Sequence, residues 1–165
     1  MCGIFGITRK SEFHEIDISG STLLCHRGPD NEGNWENDDV KLEHSRLAII
    51  DLTDAGNQPF ELEQGKVLVF NGEIYNFQEL RKNWYDENQP WKSHSDTEVL
   101  YRGLVTKGLE CLNELNGMFA FGFFDTNSNK IFLARDRYGI KPIYYYHDGL
   151  DFIFASEQKA IAKFT

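Results

Sequence analysis

Met118–Phe124 is apolar on both faces except at Gly122, and Ile131–Ala134 repeats the pattern after the short turn Thr126-Asn127-Ser128-Asn129. Strands buried on both faces belong to sheets that are covered on both sides. A connection of four residues fits an antiparallel hairpin and is too short for a crossover. An antiparallel sheet with two buried faces needs one layer above it and another below. Two such sheets packed face to face, with helices outside, meet that demand.

The other segments fit that plan. Residues 3–8 read as a strand, and residues 34–35 and 40–50 as two strands around Asn37-Asp38-Asp39. Residues 66–70 form a strand followed by Asn71-Gly72, a turn signal, and residues 152–155 form a further strand. A short helix is expected over 19–25, ended by His26-Arg27-Gly28-Pro29-Asp30, where Pro29 restricts the loop. Helical spacing over 76–84 puts Phe77, Leu80 and Trp84 on one side. A second helix over 96–107 carries the stripe Val99, Leu100, Leu104 and Val105, with Ser95 or Asp96 as its cap and Gly108 as its stop. Residues 157–164 read as a terminal helix. With 165 residues, the chain is one domain over residues 1–165, and 13 phenylalanines and 7 tyrosines favour strands over a helix bundle.

Charge and composition exclude several classes. A net charge of −9 argues against nucleic acid and anionic membrane as partners. No apolar run approaches transmembrane length, and the start of the chain lacks a signal-peptide pattern. Cys2, Cys25 and Cys111 are an odd number without close spacing, which points to a reducing cytoplasm. The five histidines show no metal spacing, and no glycine-rich phosphate loop occurs, so neither a metal nor ATP is expected in this domain.

Four places could carry chemistry. Removal of Met1 would put the Cys2 thiol on the chain's own terminal amine, whose ordinary pKa near ~8 suits a base beside a nucleophile. A cysteine there is also a small apolar residue opening a strand. Arg46 sits in an apolar stretch and needs an acceptor, either a neighbouring carboxylate or that of a ligand. Asn71-Gly72-Glu73 is a turn by type, yet a side-chain amide beside a free N–H has the form of an oxyanion hole. Asp96 is either a helix cap or a receptor for a ligand ammonium.

Seven blocks occur in order: Cys2-Gly3-Ile4-Phe5-Gly6, His26-Arg27-Gly28-Pro29-Asp30, Arg46-Leu47-Ala48-Ile49-Ile50-Asp51, Asn71-Gly72-Glu73-Ile74-Tyr75-Asn76, Ser95-Asp96-Thr97-Glu98, Asn116 to Phe121 and Arg135 to Pro142. Together they resemble the glutaminase domain of class II glutamine amidotransferases, and most of all that of glutamine-hydrolysing asparagine synthetases. Over residues 8–25 the chain is shorter and more polar than that family.

The resemblance implies an α+β fold, the four-layer αββα sandwich of the N-terminal nucleophile hydrolases. It implies Cys2 as nucleophile, Asn71 and Gly72 as oxyanion hole, and Arg46, Asp96 and Glu73 as clamps on the α-groups of glutamine. Backbone around Ile49 and Ile50 would line the same pocket. It further implies a cytoplasmic enzyme that feeds ammonia to a C-terminal synthetase domain, in cis or in trans. ATP and Mg would be used only there, and Lys141-Pro142 and Ser156-Glu157 would face that domain. It leaves room for a homodimer. Two alternatives stand beside this reading: the same hydrolysis serving another acceptor, such as a sugar carboxylate in surface-polysaccharide assembly, and a catalytically idle binding domain.

Overall fold

The computed structural model describes residues 1–8, 19–86 and 88–165. Its strands are β1 (Gly3–Thr8), β2 (Asn31–Glu36), β3 (Val40–Arg46), β4 (Lys66–Ile74), β5 (Gly117–Asp125), β6 (Lys130–Arg135), β7 (Tyr144–His147) and β8 (Phe152–Ala155). Its α-helices are α1 (Phe77–Trp84), α2 (Asp96–Lys107) and α3 (Gln158–Ile161). The strands form one sheet in the order β2-β3-β1-β8-β7 and another in the order β4-β5-β6. All pairings are antiparallel. None of the helices among the described residues is long and apolar enough to cross a membrane.

Strand periodicity sorts the core into three apolar layers. On β1, Ile4 faces the layer shared with Val40, Leu42, Val67, Val69, Phe124 and Phe154, which lies between the sheets. Phe5 and Ile7 face the other way, toward Leu24, Ala160 and Ile161. On β4, Leu68, Phe70 and Ile74 pack with Leu80, Val99, Leu100 and Leu104 of α1 and α2. Helix, sheet, sheet, helix is thus the layer order, and doubly buried β5 is explained: Phe119, Phe121 and Phe123 serve the helical side, Phe124 the inter-sheet side.

One ring on β8 meets a neighbour in its own sheet and a strand of the facing sheet. A Cβ on Gly6 of β1 would fall 2.1 Å from Phe154 Cε1, and one on Gly122 of β5 would fall 2.5 Å from Phe154 Cζ. The ring of Phe154, fully buried on β8, therefore fills space that two glycines leave free. Burying a ring of this kind contributes about 2–3 kcal/mol.

Several sequence expectations need correction. Strand β3 ends at Arg46, not at residue 50, because the backbone leaves its ladder there: the Asp30 N–H donates to Arg46 O (2.9 Å) and the Ala48 N–H to Asp30 Oδ2 (2.8 Å). Asn71-Gly72 is no turn. Both residues lie inside β4, paired with Ala120 and Phe119, and nine consecutive pairs with β5 override the local signal. The helix expected over 19–25 is a 3-10 helix at Thr22–Arg27, and the terminal α-helix shrinks to four residues. Residues 9–18 of the polar segment lie outside the described residues. Strand β7 went unforeseen.

Candidate active site

Cys2 precedes β1, in the middle of its sheet. Every residue nominated from the sequence lines one cavity there: Cys2, Arg46, Ile49, Ile50, Asn71, Gly72, Glu73 and Asp96. Met1 lines it too and is 54% exposed, so the residue that blocks the Cys2 amine also occupies the rim. The Cys2 thiol receives the Leu47 N–H at 3.4 Å and lies 3.7 Å from Leu47 O. Burial pushes this thiol above its ordinary pKa, against the Leu47 backbone bond and the positive charges of the chain's α-amine and Arg46. A thiol held neutral needs a base before it attacks.

The two donors nominated on β4 are poised for a ligand. Phe119 bonds away from β4: its carbonyl accepts from the Asp136 N–H (2.8 Å) and its N–H donates to Asp136 Oδ2 (3.2 Å). Gly72, opposite Phe119, therefore belongs to a non-hydrogen-bonded pair, and its N–H points off the free edge of β4. Every other N–H on this edge from Leu68 to Ile74 is taken. Leu68 donates to Phe60 O (3.0 Å), Phe70 to Gln58 Oε1 (2.7 Å) and Ile74 to Asp96 Oδ2 (2.9 Å). The Gly72 N–H has no acceptor among the described residues. Next to it, Asn71 is buried and its Nδ2 has no partner either. Position 72 requires glycine, since a Cβ would meet Met118 O at 2.4 Å.

Arg46 is held without a carboxylate. Its Nη1 donates to Thr53 O (2.8 Å) and Asn57 Oδ1 (2.7 Å), and its Nη2 donates to Asp51 O. Arg46 is 7% exposed and its guanidinium makes no ion pair among the described residues, so its charge is available to a ligand. Gly56 makes room for it, because a Cβ there would lie 2.4 Å from Nη2. Asp51 fixes this loop: its Oδ1 accepts from the Thr53 N–H (2.9 Å) and hydroxyl (2.7 Å), and its Oδ2 from the His94 N–H (2.8 Å). Those bonds hold its carboxyl at a pKa of about 2.

Across the cavity, Asp96 opens α2 but caps nothing by the expected route. Ser95 holds the cap position without a side-chain cap bond, and Asp96 accepts the Ile74 N–H instead. Burial, with the nearby charge of Glu73, raises the Asp96 carboxyl to about 6. A cation arriving beside it would draw it back to the ionised form.

Sequence reasoning did not nominate Asp51, Gln58, Thr97 and Lys141, which also line the cavity. Lys141, expected to face another domain, is 5% exposed and lines this cavity. The available signal was a lysine between Ile140 and Pro142 and Ile143, an apolar setting for a charge. Arg27, quoted only within its block, donates from Nε to Cys2 O (3.0 Å) and from Nη1 to Glu157 (2.9 Å), tying the Cys2 backbone to the segment after β8.

A four-layer αββα sandwich with a cysteine at the mouth of its first strand is the N-terminal nucleophile hydrolase fold. The solved structure of glutamine phosphoribosylpyrophosphate amidotransferase from Bacillus subtilis superposes with a TM-score of 0.81 at 22% identity, over 98% of this chain and 43% of that one. The chain belongs to the glutamine amidotransferase domain family, whose model matches residues 1–165. It is 40% identical to asparagine synthetase B [glutamine-hydrolyzing] of Escherichia coli and 38% identical to asparagine synthetase [glutamine-hydrolyzing] 3 of Bacillus subtilis, over 98% of its length in each case. It spans only 30% and 27% of those two proteins.

Proposed function

We propose that the chain hydrolyses free glutamine to glutamate and ammonia, and that the ammonia serves an ATP-dependent synthetase domain making asparagine. One observation carries this reading: two unpaired donors, Asn71 Nδ2 and the Gly72 N–H, sit together in the cavity that holds the Cys2 thiol. Buried polar groups without partners are rare outside sites that await a ligand. The relatives named glutamine-hydrolysing asparagine synthetases support the acceptor, and their greater length supports a synthetase domain in cis or in trans.

The chemistry follows from the residues. Once Met1 is removed, the Cys2 amine takes the thiol proton. The sulfur then bonds to the side-chain carbonyl carbon of glutamine, and the carbonyl π pair moves onto oxygen. Asn71 and Gly72 donate to that oxyanion. Its collapse breaks the C–N bond, and the leaving nitrogen takes the proton from the amine and departs as ammonia. Water gives a proton to the freed amine and attacks the thioester carbon; the C–S bond breaks, glutamate is released, and the thiolate takes that proton back from the amine. Arg46 receives the α-carboxylate, while Asp96 and Glu73 receive the α-ammonium, with the backbone of Ile49 and Ile50 along the wall. This clamp favours free glutamine over a glutamine within a peptide. The step uses no metal or cofactor, and its reduced thiol suits the cytoplasm.

The test is glutamate release by protein whose Met1 removal is verified by intact mass, compared with Cys2→Ala. The processed wild type turns over, and Cys2→Ala binds glutamine with turnover reduced by at least about a thousandfold. Binding without turnover by processed wild type would point instead to an idle binding domain.

A further inference from the structure

We propose that Lys141 is a third source of positive potential for the oxyanion, alongside Asn71 and Gly72. This inference rests on the glutaminase reading above. Lys141 lies on the loop after β6, and its N–H donates to Asp136 Oδ2 at 3.0 Å. The same oxygen accepts the N–H of Phe119, the residue opposite Gly72 on the neighbouring strand. The backbone of Lys141 is thus pinned one strand away from the oxyanion donors. The residue lines their cavity and is 95% buried by its 5% exposure, yet its ammonium has no hydrogen-bond or ion-pair partner among the described residues.

An ammonium without a partner attracts whatever negative charge the cavity comes to hold. The charges of the cavity identify what that is. The lining holds Arg46 and Lys141 as cations and Asp51, Glu73 and Asp96 as acids, with the chain's α-amine at the rim. Asp51 is spent on Thr53 and His94. Free glutamine brings one carboxylate, which Arg46 receives, and one ammonium, which Asp96 and Glu73 receive. The reacting amide is neutral. Lys141 therefore has no partner in the ground state. Negative charge forms on sulfur when the amine takes the thiol proton, and it moves to the oxygen when sulfur bonds to carbon and the carbonyl pair shifts. Interactions made only at that stage raise kcat and leave substrate affinity alone. The shared Asp136 Oδ2, which ties Lys141 to Phe119 opposite Gly72, assigns Lys141 to the oxygen side.

The experiment is steady-state glutamate release by processed wild type, Lys141→Met and Lys141→Arg. Lys141→Met keeps the length of the side chain and drops the charge. Its kcat falls about ten- to a hundredfold, with KM and the glutamine Kd in a Cys2→Ala background held within about twofold. Lys141→Arg restores most of kcat. Alkylation of Cys2 by iodoacetamide forms no carbonyl oxyanion, so its rate and pH profile stay at wild-type values in Lys141→Met. Lys141→Gln gives the same kinetic reading should the methionine variant misfold. An unchanged kcat, a rise in KM with kcat intact, or slowed alkylation each overturns the role assigned to Lys141 while the glutaminase reading stands. An inactive processed wild type overturns both.

Discussion

The two walls of the cavity treat their polar groups in opposite ways. On the Arg46 wall the guanidinium, the Asp51 carboxylate, Thr53 and Asn57 are bonded to one another. On the β4 wall the Asn71 amide and the Gly72 N–H are left open. A buried donor without a partner costs about 1–3 kcal/mol, so the protein bears that cost on one wall only. On the proposed mechanism, the bonded wall sets shape and charge for the part of glutamine that does not react. On the same mechanism, the open wall keeps its donors for an oxygen that gains charge during the reaction.

The contrast breaks most sharply at Asn71. Asn71→Ala lowers kcat for glutamate release about a hundred- to a thousandfold. The same change removes an unpaired buried amide, so the thermal midpoint holds or rises. A melt that falls together with activity would make Asn71 a structural residue and erase the difference between the walls.

The pH dependence of stability sharpens it next. His44, fully buried on β3, donates from Nε2 to Phe70 O at 3.1 Å, immediately before Asn71. Burial lowers its pKa to about 4 from 6.5, so the unfolded chain takes up this proton first as pH falls. Its contribution is complete above 6.5 and is lost between 6.5 and 4. Asp96 works in the other direction: its folded pKa of about 6 exceeds the ordinary 3.8, so its effect on stability declines as pH rises between those values. The two slopes oppose each other in the wild type. Asp96→Asn uncovers the histidine, and chemical denaturation of that variant should show a loss of about 3 kcal/mol from pH 6.5 to pH 4. A flat or inverted profile would mean that His44 is not held neutral.

The smallest effect falls on the bonded wall. Asp51→Asn turns one acceptor oxygen into a donor against the groups that meet Asp51, and stability measured in urea falls by about 2 kcal/mol. The KM for glutamine rises as the frame around Arg46 loosens, with kcat less affected than in Asn71→Ala. Wild-type denaturation by Asp51→Asn would show that the bonds around Arg46 do not form a frame.

The sequence carried much of this because chemistry follows residue type. A cysteine at position 2, an arginine among apolar residues and an acid before a helix declare themselves locally. Doubly apolar strands with short turns between them were enough to imply stacked layers. What stayed hidden depends on partners far along the chain. Asn71-Gly72 has turn chemistry, and only the pairing of β4 with β5 makes it a strand. Tyr144–His147 are exposed throughout, so β7 lacks the alternation that would mark it. Asp51 and Lys141 acquire their places from loops that cross the cavity mouth, which no local pattern encodes.

Phe154 between Gly6 and Gly122 ties three positions on three strands to one fixed volume. A relative that enlarges Gly6 must shrink or turn its in-sheet neighbour at 154, and one that enlarges Gly122 must shrink that residue or spread the two sheets, which would pull β1 away from β4. Size at these three places should therefore drift as a unit through evolution, and a single replacement among them would blunt turnover from well inside the sandwich.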